Sequence, residues 1–127
     1  MDISIVIPVL NEENNIAPLY KELKQVLDYL GKSYEIIFVD DGSKDNTFER
    51  LKEINAVDKK VNAIQFTKNF QKAAALTAGF NESKGEIIIT MDGDLQDDPK
   101  EIPNLLQKLK SCDLVVGWRH NRNDGFS

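Results

Sequence analysis

The chain lacks several features that would assign it to a class at once. It has one cysteine, Cys112, which excludes an internal disulfide and a zinc site built from cysteines. Set between an apolar helix face and an apolar strand, that thiol reads as a buried structural one, consistent with a reducing compartment. No stretch approaches the roughly 18–20 consecutive apolar residues of a membrane span. No basic segment leads into an apolar core at the start; "MDISIVIPV" reads as a strand and not as a secretory signal. Basic residues are outnumbered 16 to 21, and the net charge of −5 argues against nucleic acid as a partner. There is no G-x-x-x-x-G-K-[ST] phosphate loop, which argues against a kinase or NTPase, and there are no repeats or low-complexity linkers.

What is present suits one compact domain of 127 residues. Five apolar runs stand out: Ile3–Val9, Tyr34–Asp40, Val61–Thr67, Glu86–Asp92 and Asp113–Trp118. Several are continuous and β-branched, the pattern of strands buried on both faces of a parallel sheet. Helical spacing lies between them. Ile16, Leu19, Tyr20, Leu23, Val26, Leu27 and Leu30 form one stripe closed by Gly31. Phe48, Leu51 and Ile54 mark a second helix, and Ala74, Leu76, Ala78 and Phe80 a third that stops at Gly85. Ile102, Leu105, Leu106 and Leu109 mark a fourth, opened by Asp98 as N-cap, Pro99 and a capping-box Glu101. Strands alternating with helices predict a three-layer α/β sandwich with a mostly parallel sheet. Its ligands are expected beyond the carboxyl ends of the strands.

Four of those ends are polar: "PVLNEENN", "DDGSKDNT", "TKNFQK" and "DGDLQDD". In the last, Asp92 and Asp94 flank a glycine, so both carboxylates can turn to one point. An oxygen-only set at this spacing suits Mg²⁺ or Mn²⁺, with Gln96 as a further oxygen donor. Asp97 reads as surface. In "VDDGSKDNT", Ser43 or Asp45 caps the following helix, which leaves Asp40 and Asp41 to accept from a nucleobase N–H or a ribose hydroxyl. Pro8 frees the backbone edge of the first strand for a ligand. Asn11 reads equally as an N-cap or a ligand contact, and Glu12 as a first-turn acid or a ligand contact. Lys68 and Lys72 read as solvated surface or as partners of a diphosphate. Arg119 and Arg122 offer forks suited to phosphate, beside a His120 of either kind.

As an ordered set, "IPVLNEENNI", "IIFVDDGSKDNT", "KNFQKAAALTAGF", "GEIIITMDGDLQDDPKEIP" and "DLVVGWRHNR" resemble the inverting family 2 glycosyltransferases of the GT-A, Rossmann-like fold. The likeness is greatest to the branch that moves a sugar onto a polyprenyl phosphate, as dolichol-phosphate mannosyltransferase and the bacterial undecaprenyl-phosphate glucosyltransferases do. The resemblance implies that Pro8, Glu12 and Asp41 line the nucleobase and ribose pocket. It implies that Asp92, Asp94 and Gln96 hold a divalent metal against the diphosphate, and that Arg119 and Arg122 meet the acceptor phosphate. The expected partners are a UDP- or GDP-linked sugar and a polyprenyl phosphate. Two positions depart from the family pattern, Lys68 where it has Arg and Gln71 where it has Gly. The resemblance also implies a longer catalytic domain, often followed by membrane helices. The expectation is therefore a truncated nucleotide-sugar-binding part, residues 1–127, soluble and inactive alone. Its full-length protein would lie at the cytoplasmic face of a membrane.

Other readings differ in what they require. A non-catalytic nucleotide-binding module would keep nucleotide and metal affinity without transfer. A family 2 enzyme with a cell-wall or polysaccharide acceptor would share the donor site. A phosphatase with an aspartate nucleophile would want its paired acids on the first strand, which here ends in "PVLNE".

Overall fold

The computed structural model describes residues 1–94 and 96–109. The expected fifth strand, with Cys112, Arg119, His120 and Arg122, lies outside the described residues. Four strands, β1 (Ile3–Val9), β2 (Tyr34–Asp40), β3 (Val61–Gln65) and β4 (Ile87–Thr90), alternate with α1 (Ile16–Leu30), α2 (Thr47–Val57) and α3 (Lys72–Glu82). A 3-10 turn, Pro99–Glu101, then leads into α4 (Ile102–Leu109). All pairings are parallel, in the order β3-β2-β1-β4.

That order explains the layers. The chain steps outward from β1 to β2 to β3, then crosses back to place β4 on the other side of β1. Right-handed crossovers in opposite directions put their helices on opposite faces. One face carries Ile3, Ile5, Ile7, Ile36 and Phe38 against Leu19, Leu23 and Leu51, with Ile102 and Leu106 of α4. The other carries Ile37 and Val39 against Ala75 of α3. Here the helix face is turned from expectation: Leu76 is buried as expected, but its buried companions are Ala75 and Gly79, while Ala74, Ala78 and Phe80 are half-buried. Small residues win because α3 lies close on the sheet; a Cβ on Gly79 would sit 2.3 Å from Val6 Cγ1.

Two helix ends follow the local chemistry expected of them. Gly31 closes α1 in the left-handed region, φ +69°. Asp98 Oδ1 accepts the Lys100 N–H at 3.0 Å and opens the turn before α4. α3 ends at Glu82, before the expected Gly85, because Ser83 turns out and its Oγ bonds back to the Gly79 carbonyl. β3 and β4 are each two residues shorter at their carboxyl ends than the apolar runs predicted.

Candidate active site

The sheet changes direction between β1 and β4, and there a cleft of about 230 Å³ opens at the carboxyl ends of both strands. Pro8, Val9, Leu10 and Glu12 line one wall, and Asp92, Gly93 and Asp94 the other. Pro8 helps to open it. Val6 gives its carbonyl to Met91 on the β4 side, and Val9 gives its own to Asp41 on the β2 side. Pro8, two residues after Val6, therefore faces β4, whose pairing has already ended at Val6–Thr90. Its missing N–H leaves no donor there to carry the ladder further. Beyond Met91 the Asp92 N–H turns instead to Asp97 Oδ2, 3.0 Å away. Asp97, expected as surface, thus holds the acidic loop in shape. Gly93 is required by the same geometry, since a Cβ there would lie 2.5 Å from Val9 Cγ1.

Among the acids, Asp92 is mostly buried, with 18% of its side chain exposed, and Lys72 Nζ lies 3.0 Å from its Oδ1. Asp94 is exposed, and its Oδ1 accepts the Gln96 N–H at 3.1 Å. Glu12 is not a first-turn acid, because α1 begins at Ile16; its Oε2 accepts from Asn15 Nδ2 at 3.0 Å.

Three loops around the cleft are joined by side chains that bond to main chain. Asn11 is not the N-cap of α1. Its N–H donates to Ser43 Oγ at 2.8 Å, and its Oδ1 accepts the Lys44 N–H at 2.9 Å. Ser43 is thereby a tie between loops and not a helix cap. The Glu12 N–H reaches Thr47 Oγ1 at 2.8 Å, and Thr47 in turn donates its hydroxyl and amide to Asp45 Oδ1. Burial pushes the Asp45 carboxyl up, but the Thr47 hydroxyl and amide and the Glu13 amide outweigh it and hold it below its ordinary 3.8.

The acid pair at the end of β2 sits beneath the rim. Asp40 is wholly enclosed; its Oδ1 accepts the Ser43 N–H at 2.8 Å, and its Oδ2 has no hydrogen-bond partner among the described residues. Asp41, 6% exposed, spends both oxygens on the β3–α3 loop, accepting from Phe70 N–H at 2.7 Å and Gln71 N–H at 3.1 Å. Gly42, at φ +85°, lets that loop lie close, since a Cβ there would sit 2.5 Å from the Lys68 carbonyl carbon. Lys68 itself is exposed and stacks its ammonium on the Phe70 ring, 5.2 Å from the centroid.

Of the residues expected in the site, the cleft gathers Pro8, Glu12, Asp92 and Asp94, and Lys72 reaches it through Asp92. Asn11, Asp40 and Asp41 support it from beside and below, while Lys68 and Gln96 stand at exposed positions off its lining. Sequence reasoning missed Thr47 and Asp97. Their signals, a threonine two residues after Asp45 and an aspartate five after Asp92, are those of loop-closing hydrogen bonds.

The profile described as glycosyl transferase family 2 matches residues 4–127. The chain belongs to that family. Dodecaprenyl-phosphate galacturonate synthase of Rhizobium johnstonii is 38% identical over 129 residues, covering 99% of this chain and 38% of the relative. The undecaprenyl-phosphate 4-deoxy-4-formamido-L-arabinose transferase of Edwardsiella ictaluri is 40% identical over 126 residues, covering 98% and 39%. The chain thus spans about 38–39% of the length of these curated relatives. The Pyrobaculum calidifontis mannosyltransferase, solved with GDP-Man and Mn2+, superposes with a TM-score of 0.73 at 23% identity, covering 84% of this chain and 32% of that one. Glucosyl-3-phosphoglycerate synthase of Mycobacterium tuberculosis, solved with UDP, gives 0.67 at 27% identity, covering 88% and 41%. The fold of this family 2 chain is that of the GT-A glycosyltransferases. Among its described residues, no helix is long and apolar enough to cross a membrane.

Proposed function

We propose that this chain carries the donor site of a metal-dependent, inverting glycosyltransferase that moves a sugar from a UDP- or GDP-linked donor, a hexose in the simplest case, to a polyprenyl phosphate. The observation that carries the proposal is the cleft at the β1/β4 switch point, with Pro8 and Glu12 on one wall and Asp92 and Asp94 on the other. The acceptor class is supported by the names of the relatives, two transferases of polyprenyl phosphates.

The donor set fits a hard divalent cation. Asp92 and Asp94 would offer carboxylate oxygens from one wall, and no group of three or more His, Cys, Asp or Glu side chains converges among the described residues. Two carboxylates completed by substrate phosphates and water form the arrangement Mg²⁺ favours, and Mn²⁺ accepts the same ligands. A cation held there would supply Lewis-acid neutralisation of the departing nucleoside diphosphate.

The residues of the chain do the rest by placement. Pro8 and Glu12 receive the nucleoside at the end of β1, and Asp40 and Asp41 act through the loops they hold. Lys72 brings positive charge to the diphosphate side, and Arg119 and Arg122 are assigned to the acceptor phosphate. In the transfer, an acceptor phosphate oxygen attacks the anomeric carbon from the face opposite the diphosphate. The new C–O bond forms as the bond to the diphosphate breaks, and the electron pair leaves with the nucleoside diphosphate. The acceptor phosphate is already ionised at neutral pH, so no strong general base is required. Alignment of two anions then carries most of the work.

Asp94→Ala tests the assignment. Nucleotide binding in the presence of Mn²⁺ is expected to fall to the metal-free level with thermal stability nearly unchanged, because Asp94 is exposed. Full retention of Mn²⁺-dependent binding would sink it.

A further inference from the structure

Four ion pairs join the described residues, and three of them link neighbours three or four apart on α1 or α2. The fourth, Lys72–Asp92, alone spans two elements, twenty residues apart, and its carboxylate lies on the cleft. Both ends of this pair are rooted firmly. Lys72 is the first residue of α3, directly after Gln71, whose N–H is pinned by Asp41 and by Asn69 Oδ1 at 3.0 Å. Asp92 follows the last ladder bond of β4 and has its own N–H held by Asp97. Between these roots runs a four-carbon stem, with 41% of the Lys72 side chain exposed. The anchor points are held by main-chain hydrogen bonds, and the ammonium is joined to its own only through that stem.

We propose that Lys72 is a tethered counter-ion: it neutralises Asp92 until the donor loads, then releases the carboxylate and carries its charge to the diphosphate. The inference rests on the donor-site reading above. Glu12, Asp92 and Asp94 all line the one cleft, and unneutralised acids on a shared cleft repel one another. An ammonium is a compact point charge whose donors rotate, so it satisfies a carboxylate without fixing one geometry. A divalent ion attracts the same oxygen twice as strongly at equal distance, so Lys72 yields Asp92 when a divalent ion and a diphosphate arrive together. The diphosphate then offers the displaced ammonium a new anion within the same site. The device keeps Asp92 ordered in the empty site and couples metal and nucleotide binding through one side chain.

The coupling makes opposite predictions for two affinities, which a merely structural role would not move apart. Mn²⁺ binding without nucleotide, and binding of GDP and UDP at saturating Mn²⁺, are measured by calorimetry on the whole chain. The proteins compared are the wild type, Lys72→Met and Lys72→Gln. Both variants are expected to bind Mn²⁺ alone about tenfold more tightly, and the nucleotide about tenfold more weakly. Variants that bind Mn²⁺ no more tightly than the wild type overturn the proposal, and Mn²⁺-dependent nucleotide binding by the wild type would then leave the donor site standing. Unchanged nucleotide affinity in the variants overturns it equally. Failure of the wild type to bind either ligand overturns both readings together.

Discussion

Asp41 Oδ2 accepts the N–H of Gln71, thirty residues further on, at 3.1 Å, and Gln71 makes that bond from a backbone angle of φ +84°. With ψ 162°, this is a conformation that glycine adopts freely and other residues seldom do. Gln71 is kept there by two acceptors, Asp41 and Asn69, which converge on its single N–H. The strained residue stands immediately before α3 and sets where Lys72 begins.

Replacing Gln71 with glycine should therefore stabilise the fold by about 1 kcal/mol, the relieved strain less the extra chain entropy of glycine. Gln71→Ala should bring no such gain, because alanine meets the same backbone restriction. Urea denaturation of the three proteins checks this; equal stability of the glycine and alanine variants would contradict it.

The other partner yields a separate expectation. Asp41→Ala removes a buried carboxylate from two amides and should cost about 2–4 kcal/mol. Hydrogen exchange at Phe70 and Gln71 should accelerate in this variant more than exchange in β1. Unchanged protection at those two amides would show that another group holds the loop.

A third prediction concerns acid. Asp45 has a folded pKa below its unfolded value, so its contribution is present above about pH 4 and is lost as pH falls through the folded value. Between pH 7 and pH 3 the wild type should lose more stability than Asp45→Asn, which has no charge to lose. Parallel losses in both proteins, followed by urea titration at each pH, would remove Asp45 from the acid response.

Much of the fold was legible because burial on both faces imposes a simple pattern. β1 and β2 were read at their observed limits, since "ISIVIPV" and "YEIIFVD" are apolar until the chain reaches the rim. Where hydrogen bonding and not burial ends an element, the apolar pattern overran. β4 stops at Thr90 although Met91 is buried, because Pro8 offers no N–H opposite and Asp97 takes the amide of Asp92. β3 stops at Gln65 because, one residue later, the Phe66 N–H makes the last bond to Asp40 and the chain turns over Gly42.

The site divided along the same line. Pro8, Glu12, Asp92 and Asp94 could be found from residue type and position, as acids and a proline at adjoining strand ends. The roles of Asn11, Ser43, Thr47 and Asp97 could not, because each depends on which distant amide faces the side chain. Asp41 shows the limit most clearly. From the sequence it is a carboxylate suited to a nucleoside, yet both its oxygens meet the chain's own amides.

The central claim is that the β1/β4 cleft binds a nucleoside diphosphate together with a divalent cation. Calorimetric titration of the chain with UDP and with GDP, each with and without Mn²⁺, addresses it directly. The account predicts saturable binding of one of the two nucleotides that requires Mn²⁺, and its identity would give the donor class. Binding of neither by a folded chain, or binding indifferent to the metal, would contradict it.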